Sequence, residues 1–170
     1  DSDGHTPLHL AIIEGVKPNI LSFILTKGYP INKRDRQGET ALFCAIDRLQ
    51  AENSKLFFDS GADPFIANNA GDNVITLVFK KREAFIEMLA TSSLIKTDAI
   101  GDNILHYAAR FANKKTIESL LAISSEGVND KNTLGETPYQ VALHWQKGEV
   151  ANLFIKKADK KEPTIEAEKK

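Results

Sequence analysis

Apolar residues in this chain recur on two scales, a local one of three to four residues and a longer one of about 33. Taking Gly4, Gly38, Gly71, Gly101 and Gly135 as anchors, the intervals are 34, 33, 30 and 34 residues. Four places after each anchor stands Leu8, Leu42, Ile75, Leu105 or Tyr139, and seven places after it Ala11, Ala45, Val78, Ala108 or Ala142. A large and a small apolar side chain therefore share one face of a helix, and the small one lets a neighbouring helix approach closely. Two places after the anchor come Thr6, Thr40, Asn73, Asn103 and Thr137, side chains that accept a hydrogen bond from the first free N–H groups of a helix. Pro7 and Pro138 follow directly where a first helical turn tolerates proline. Each unit then carries a second apolar stretch, at 19–25, 54–58, 83–89, 116–123 and 149–155, with roughly helical spacing. Segments such as "KGYPIN" and "SEGVNDKN" supply the glycine, proline and asparagine that end the second helix and reverse the chain. The third unit lacks that glycine, which accounts for its shorter period.

Five units in phase resemble the ankyrin-repeat family, whose repeat opens on a Gly-x-Thr-Pro-Leu-His-x-Ala-Ala core. "GHTPLHLAIIEG" (4–15) matches nearly in full, "GDNILHYAAR" (101–110) and "GETPYQVAL" (135–143) match well, "GETALFCAI" (38–46) less so, and "GDNVITLVF" (71–79) least. The resemblance implies an all-α solenoid of helix-turn-helix units joined by extended, β-hairpin-like loops. It covers residues 1–157 as a single array, with repeats at about 1–34, 35–67, 68–97, 98–131 and 132–157. It also implies that His9 and His106 are structural, bonding the helix cap and the loop between repeats. Thr76, where histidine is expected, and the deletion near the second helix predict local irregularity in the third unit.

Composition narrows the function more than the fold. The 170 residues are 42% hydrophobic and 26% charged with a net charge of -1, an ordinary soluble balance without the basic excess of a nucleic-acid domain. No apolar run approaches the roughly 18 residues of a membrane span, and no signal-peptide pattern opens the sequence. Cys44, the single cysteine, excludes an internal disulfide and a cysteine-cluster zinc site. It stands where the other units place Leu10, Leu77, Tyr107 and Val141, so it is expected as a buried hydrophobe. The sequence lacks a phosphate-binding glycine loop and a nucleophile elbow. No catalytic residue, metal or cofactor is expected, and the chain is read as a non-enzyme. The start at a repeat edge suggests a piece of a longer protein, and the charged stretch 158–170 reads as a disordered tail or linker.

In the family that this chain resembles, partners meet the hairpin loops and the ends of the first helices, which line a concave face. The matching positions here include Arg36, Arg48, Lys80, Lys81, Ile100, Arg110, Phe111, His144 and Trp145. Arg48, Lys80, Lys81 and Arg110 fall on three consecutive repeats, with Phe111 and Trp145 beside them, giving a basic centre and an aromatic end. Arginine and aromatic residues carry much of the energy of protein interfaces. The reading is a protein-interaction module, expected as a monomer, that grips a partner protein or an acidic peptide. Two alternatives stay open at this point: recognition of an anion such as a phosphoinositide headgroup or nucleic acid by "FKKRE" (79–83) with Arg48 and Arg110, or a passive spacer or regulatory element within a longer chain. The plainer reading of the residues themselves makes Lys80, Lys81 and Arg82 a solvated helix end and Trp145 a cover for the last repeat. Arrays of this kind work chiefly in the cytoplasm, and also in the nucleus or as secreted effectors.

Overall fold

A computed structural model describes residues 2–93 and 96–158. Of the charged stretch 158–170, residues 159–170 lie outside the described residues. The chain divides into two compact units, Asp1–Ser93 and Leu94–Lys170.

The first unit holds three helix pairs: α1 (Pro7–Ile13) with α2 (Pro18–Leu25), α3 (Ala41–Asp47) with α4 (Ala51–Asp59), and α5 (Val74–Lys81) with α6 (Ile86–Ser93), the last entered through a 3₁₀ turn at Glu83–Phe85. The second unit holds α7 (Ile104–Phe111) with α8 (Lys114–Ile123) and α9 (Pro138–His144) with α10 (Gly148–Ala158). Every first helix starts at the residue that the pattern singles out. Thr6, Thr40, Asn73, Asn103 and Thr137 are the N-caps of α1, α3, α5, α7 and α9, and each side chain accepts a backbone N–H of the opening turn. Pro7 and Pro138 occupy the first helical position, where no donor is lost.

First helices stack on first helices and second on second within each unit: α1 on α3 on α5, α2 on α4 on α6, and, in the second unit, α7 on α9 and α8 on α10. The small residues Ala45, Val78, Ala108 and Ala142 are wholly buried at these contacts, beside Leu8, Leu42, Ile75 and Leu105. Burial of one such large aliphatic side chain is worth about 1.5–3 kcal/mol relative to exposure. Tyr139 departs from the pattern and stays half-buried, because its hydroxyl favours a wet edge and Pro138 takes the buried place.

The loops repeat as faithfully as the helices. Asp35, Asn68, Asp98 and Asn132, each three places before an anchor glycine, both donate to and receive backbone bonds across a tight hairpin: Asp35 N to Glu39 O and Gly38 N to Asp35 O is the first instance. The side-chain oxygen of each also accepts the N–H of the residue four places on. At the tip, Gly38 has φ +81° and a Cβ there would lie 2.8 Å from Asn69 N, so the next hairpin needs the space that glycine leaves. One antiparallel bridge, Arg34 to Thr40, is the strand-like pairing among the described residues.

The third repeat is irregular for a local reason. Gly15, Leu49 and Gln146 adopt left-handed φ of 64°, 60° and 57° in the turns between paired helices. The third repeat has only Arg82 there, at φ -132°, so the chain passes straight into a 3₁₀ turn before α6.

Candidate partner-binding surface

The two matched histidines sit behind this surface. Thr6 N donates to His9 Nδ1 at 3.2 Å, which leaves His9 Nε2 to donate to the Glu39 carbonyl of the next hairpin at 3.0 Å. His106 repeats both bonds, from Asn103 N at 3.1 Å and to the Glu136 carbonyl at 3.0 Å. Burial, the largest influence, lowers the pKa of both rings and keeps them neutral. At the same helix position Thr76 and Gln140 still accept the N-cap N–H, so the cap survives without histidine.

In the first unit the exposed cations at the predicted positions are Arg36 at a hairpin tip, Arg48 at the end of α3, and Lys80 and Lys81 at the end of α5. They are not equivalent. Lys80 Nζ lies 2.6 Å from Asp72 Oδ1, and this hydrogen bond is the main reason that the Asp72 carboxyl titrates below its usual range. Arg82, next to Lys81, is structural: its guanidinium donates to the Asp47 carbonyl at 3.0 Å and to the Asp47 carboxylate at 2.8 Å, closing the end of the previous repeat's first helix. Gln50 does the same for the Ile12 carbonyl at 2.8 Å.

In the second unit Arg110 pairs with the fully buried Asp102, whose other oxygen accepts Asn132 Nδ2 at 2.8 Å. The guanidinium also sits 5.7 Å from the Tyr107 ring centroid. Arg110 is thus a counterion of the fold as well as a surface group. Phe111 stands 6.2 Å from Tyr107 on one side and 6.2 Å from Trp145 on the other, which makes a row of three rings. Trp145 is 53% exposed at the end of that row, Ile100 is 46% exposed at a hairpin tip, and the exposed His144 lies 3.2 Å from Glu136 Oε1. Lys147, whose pKa burial lowers, donates to the Ala112 carbonyl at 3.3 Å, as Gln50 and Arg82 do in other repeats.

The ion pairs were missed because they join a loop to a helix end eight residues on, outside ordinary helical spacing. The signal was nevertheless present: acid one place after the anchor and base nine places after it, in three repeats. Cys44 is buried as expected, and its thiol pKa is pushed up to about 12, first by burial and then by the Glu39 and Asp35 carboxylates.

Comparison with known proteins agrees with this geometry. Residues 1–68 match the family model described as ankyrin repeats (3 copies). The chain carries ankyrin repeats. It is similar to the transient receptor potential cation channel subfamily A member 1 of Drosophila melanogaster, 27% identical over 131 residues, which are 71% of this chain and 11% of that protein. Human Rabankyrin-5 is 25% identical over 147 residues, 84% of this chain and 12% of its own length. An ankyrin repeat-containing protein of Schizosaccharomyces pombe is 35% identical over 71 residues, 42% of this chain and 33% of that protein. The chain therefore spans between about a tenth and a third of the curated relatives it matches. Ankyrin repeats are generally protein–protein interaction modules and typically not enzymes. No helix among the described residues is long and apolar enough to cross a membrane.

Proposed function

We propose that the chain binds a partner protein or peptide, in the cytoplasm, through the hairpin tips and first-helix ends of its repeats, with no chemistry of its own. The observation that carries this reading is the ring row Tyr107, Phe111 and Trp145, which leaves half of an indole in water, in a unit that also exposes Ile100 and Leu134. An exposed indole on a rigid platform gives large contact area at little ordering cost. In the first unit Arg36, Arg48 and Lys81 are the exposed cations that would meet acidic side chains of the partner. Lys80 and Arg110 already neutralise Asp72 and Asp102 and contribute less net charge than a count of basic residues implies.

The test is affinity capture from lysate with the 170-residue chain and with two variants, Trp145→Ala and the pair Arg48→Glu with Lys81→Glu, all shown to be folded by circular dichroism. Arg110 is left intact because its loss would unpair a buried carboxylate. A protein retained by the wild-type chain and lost with Trp145→Ala supports the reading. Weaker retention by the double-charge variant, restored at low salt, supports an acidic partner. Equal retention by all three, or capture of nucleic acid or lipid alone, overturns it.

A further inference from the structure

Where the turn between paired helices meets the turn of the next repeat, a groove opens, and each unit has one. In the first unit it measures about 250 Å³ and is lined by Pro18, Gln50, Ala51, Glu52 and Asn53. Its counterpart in the second unit measures about 570 Å³. There Lys114 takes the place of Pro18 at the start of the first repeat's second helix, and Lys147, Gly148, Glu149 and Val150 follow the order of residues 50–53.

Three exchanges set the second groove apart. Gly148 replaces Ala51. Its φ is not left-handed and a Cβ built on it meets nothing within 4 Å, so neither backbone nor packing calls for glycine, and the missing side chain leaves room. Val150, 8% exposed, replaces the buried amide of Asn53 and forms an apolar wall with Ala112 and Phe111. Lys147 replaces the neutral Gln50. Both side chains donate to carbonyls at the end of the preceding first helix, Gln50 to Ile12 and Lys147 to Arg110 and Ala112.

An ammonium has three N–H donors and a full charge. The two carbonyls occupy two of those donors and offer no counter-charge. Among the described residues, no carboxylate stands within ion-pair distance of Lys147 or of the exposed Lys114. Burial lowers the Lys147 pKa, as expected for a part-buried cation without a counterion. Phe111 also belongs to the ring row, 6.2 Å from Trp145, so the groove continues from the exposed indole.

We propose that this groove receives an aromatic side chain of the partner against Phe111 and Val150, with the carboxylate of an adjacent aspartate or glutamate on the remaining N–H of Lys147. The inference rests on the partner-binding reading and names the partner's chemistry as an aromatic–acidic pair. Rings pack favourably on rings in offset or edge-on geometry, and a charged donor binds a carboxylate more strongly than a neutral acceptor. Lys114 and Lys147 against Glu149 leave one positive charge in the lining, which suits a single carboxylate better than a doubly charged phosphate.

The probe is the tetrapeptide Ala-Phe-Glu-Ala, acetylated and amidated so that its one charge is the glutamate, titrated into the 170-residue chain and followed by amide chemical shifts. Saturable shifts are expected at 111–114 and 146–150. Replacing the peptide's Glu by Gln should weaken binding about fivefold. Gly148→Leu places a side chain in the groove without meeting the fold and should abolish binding, whereas Lys33→Gln, in the other unit, should leave it unchanged. Circular dichroism separates lost binding from lost fold. No saturable shift in the folded wild-type chain, equal affinity for the Glu and Gln peptides, or binding unchanged in folded Gly148→Leu would overturn the proposal. So would tighter binding of a peptide that ends in a free Phe carboxylate, which would make the ligand a chain terminus. Such a failure leaves the capture experiment standing, because Trp145→Ala keeps every residue of the groove.

Discussion

At the residue scale, two ion pairs of the same register differ in what surrounds them. Lys80 and Asp72 are both more than a third exposed, so Lys80→Ala should cost no more than about 1 kcal/mol in urea unfolding. Asp102 is wholly buried and Arg110 is 18% exposed, so Arg110→Ala should cost about 3 kcal/mol, chiefly through the carboxylate left behind. Equal losses would show that burial does not distinguish the pairs. The matched histidines give a pH signature. Their folded pKa values lie below the ordinary value, so between the two the unfolded chain binds more protons. Stability is therefore full above about pH 6.5 and falls as pH drops below it. His106→Gln keeps the cap bond, as Gln140 does, but loses the bond to Glu136. Its melting temperature should start lower and fall less between pH 7.5 and 5. The caps and histidines were legible in sequence because the repeat fixes their offsets. The pairing of Lys80 and Arg110 leaves a recurring acid and base offset in the sequence, but the spacing of eight residues from loop to helix end is outside ordinary helical contact, so the folded hairpin is what shows that the groups meet.

At the scale of elements, the anchor glycines share a conformation but not surroundings. Gly71 has φ +83° with nothing within 4 Å of a built Cβ, so Gly71→Ala should cost only the backbone penalty of about 1–2 kcal/mol. Gly38→Ala adds a clash with Asn69 N and should destabilise more; similar melting shifts for the two variants would contradict the hairpin packing described here. All five first helices and their pairing with second helices followed from the apolar period. The 3₁₀ entry to α6 was foreseen only as an irregularity, because a missing turn residue says that the chain must tighten without saying how. The regular side-chain clasp by Asp35, Asn68, Asp98 and Asn132 was readable in hindsight from their constant place before each glycine.

At the scale of the whole molecule, near-neutral net charge conceals a division of labour: some cations hold the fold while Arg36, Arg48 and Lys81 face water. The sequence's single array over residues 1–157 is a proposal about cooperativity, and calorimetry should give one transition; two separate transitions would contradict it. The central claim is that recognition belongs to hairpin tips and first-helix ends. Amide hydrogen exchange of the chain, free and with a captured partner, tests it most directly. Added protection is expected at 36–37, 47–48, 80–81, 110–111 and 144–145. Protection confined to the second helices, α2, α4, α6, α8 and α10, would place recognition on the opposite elements and contradict the account.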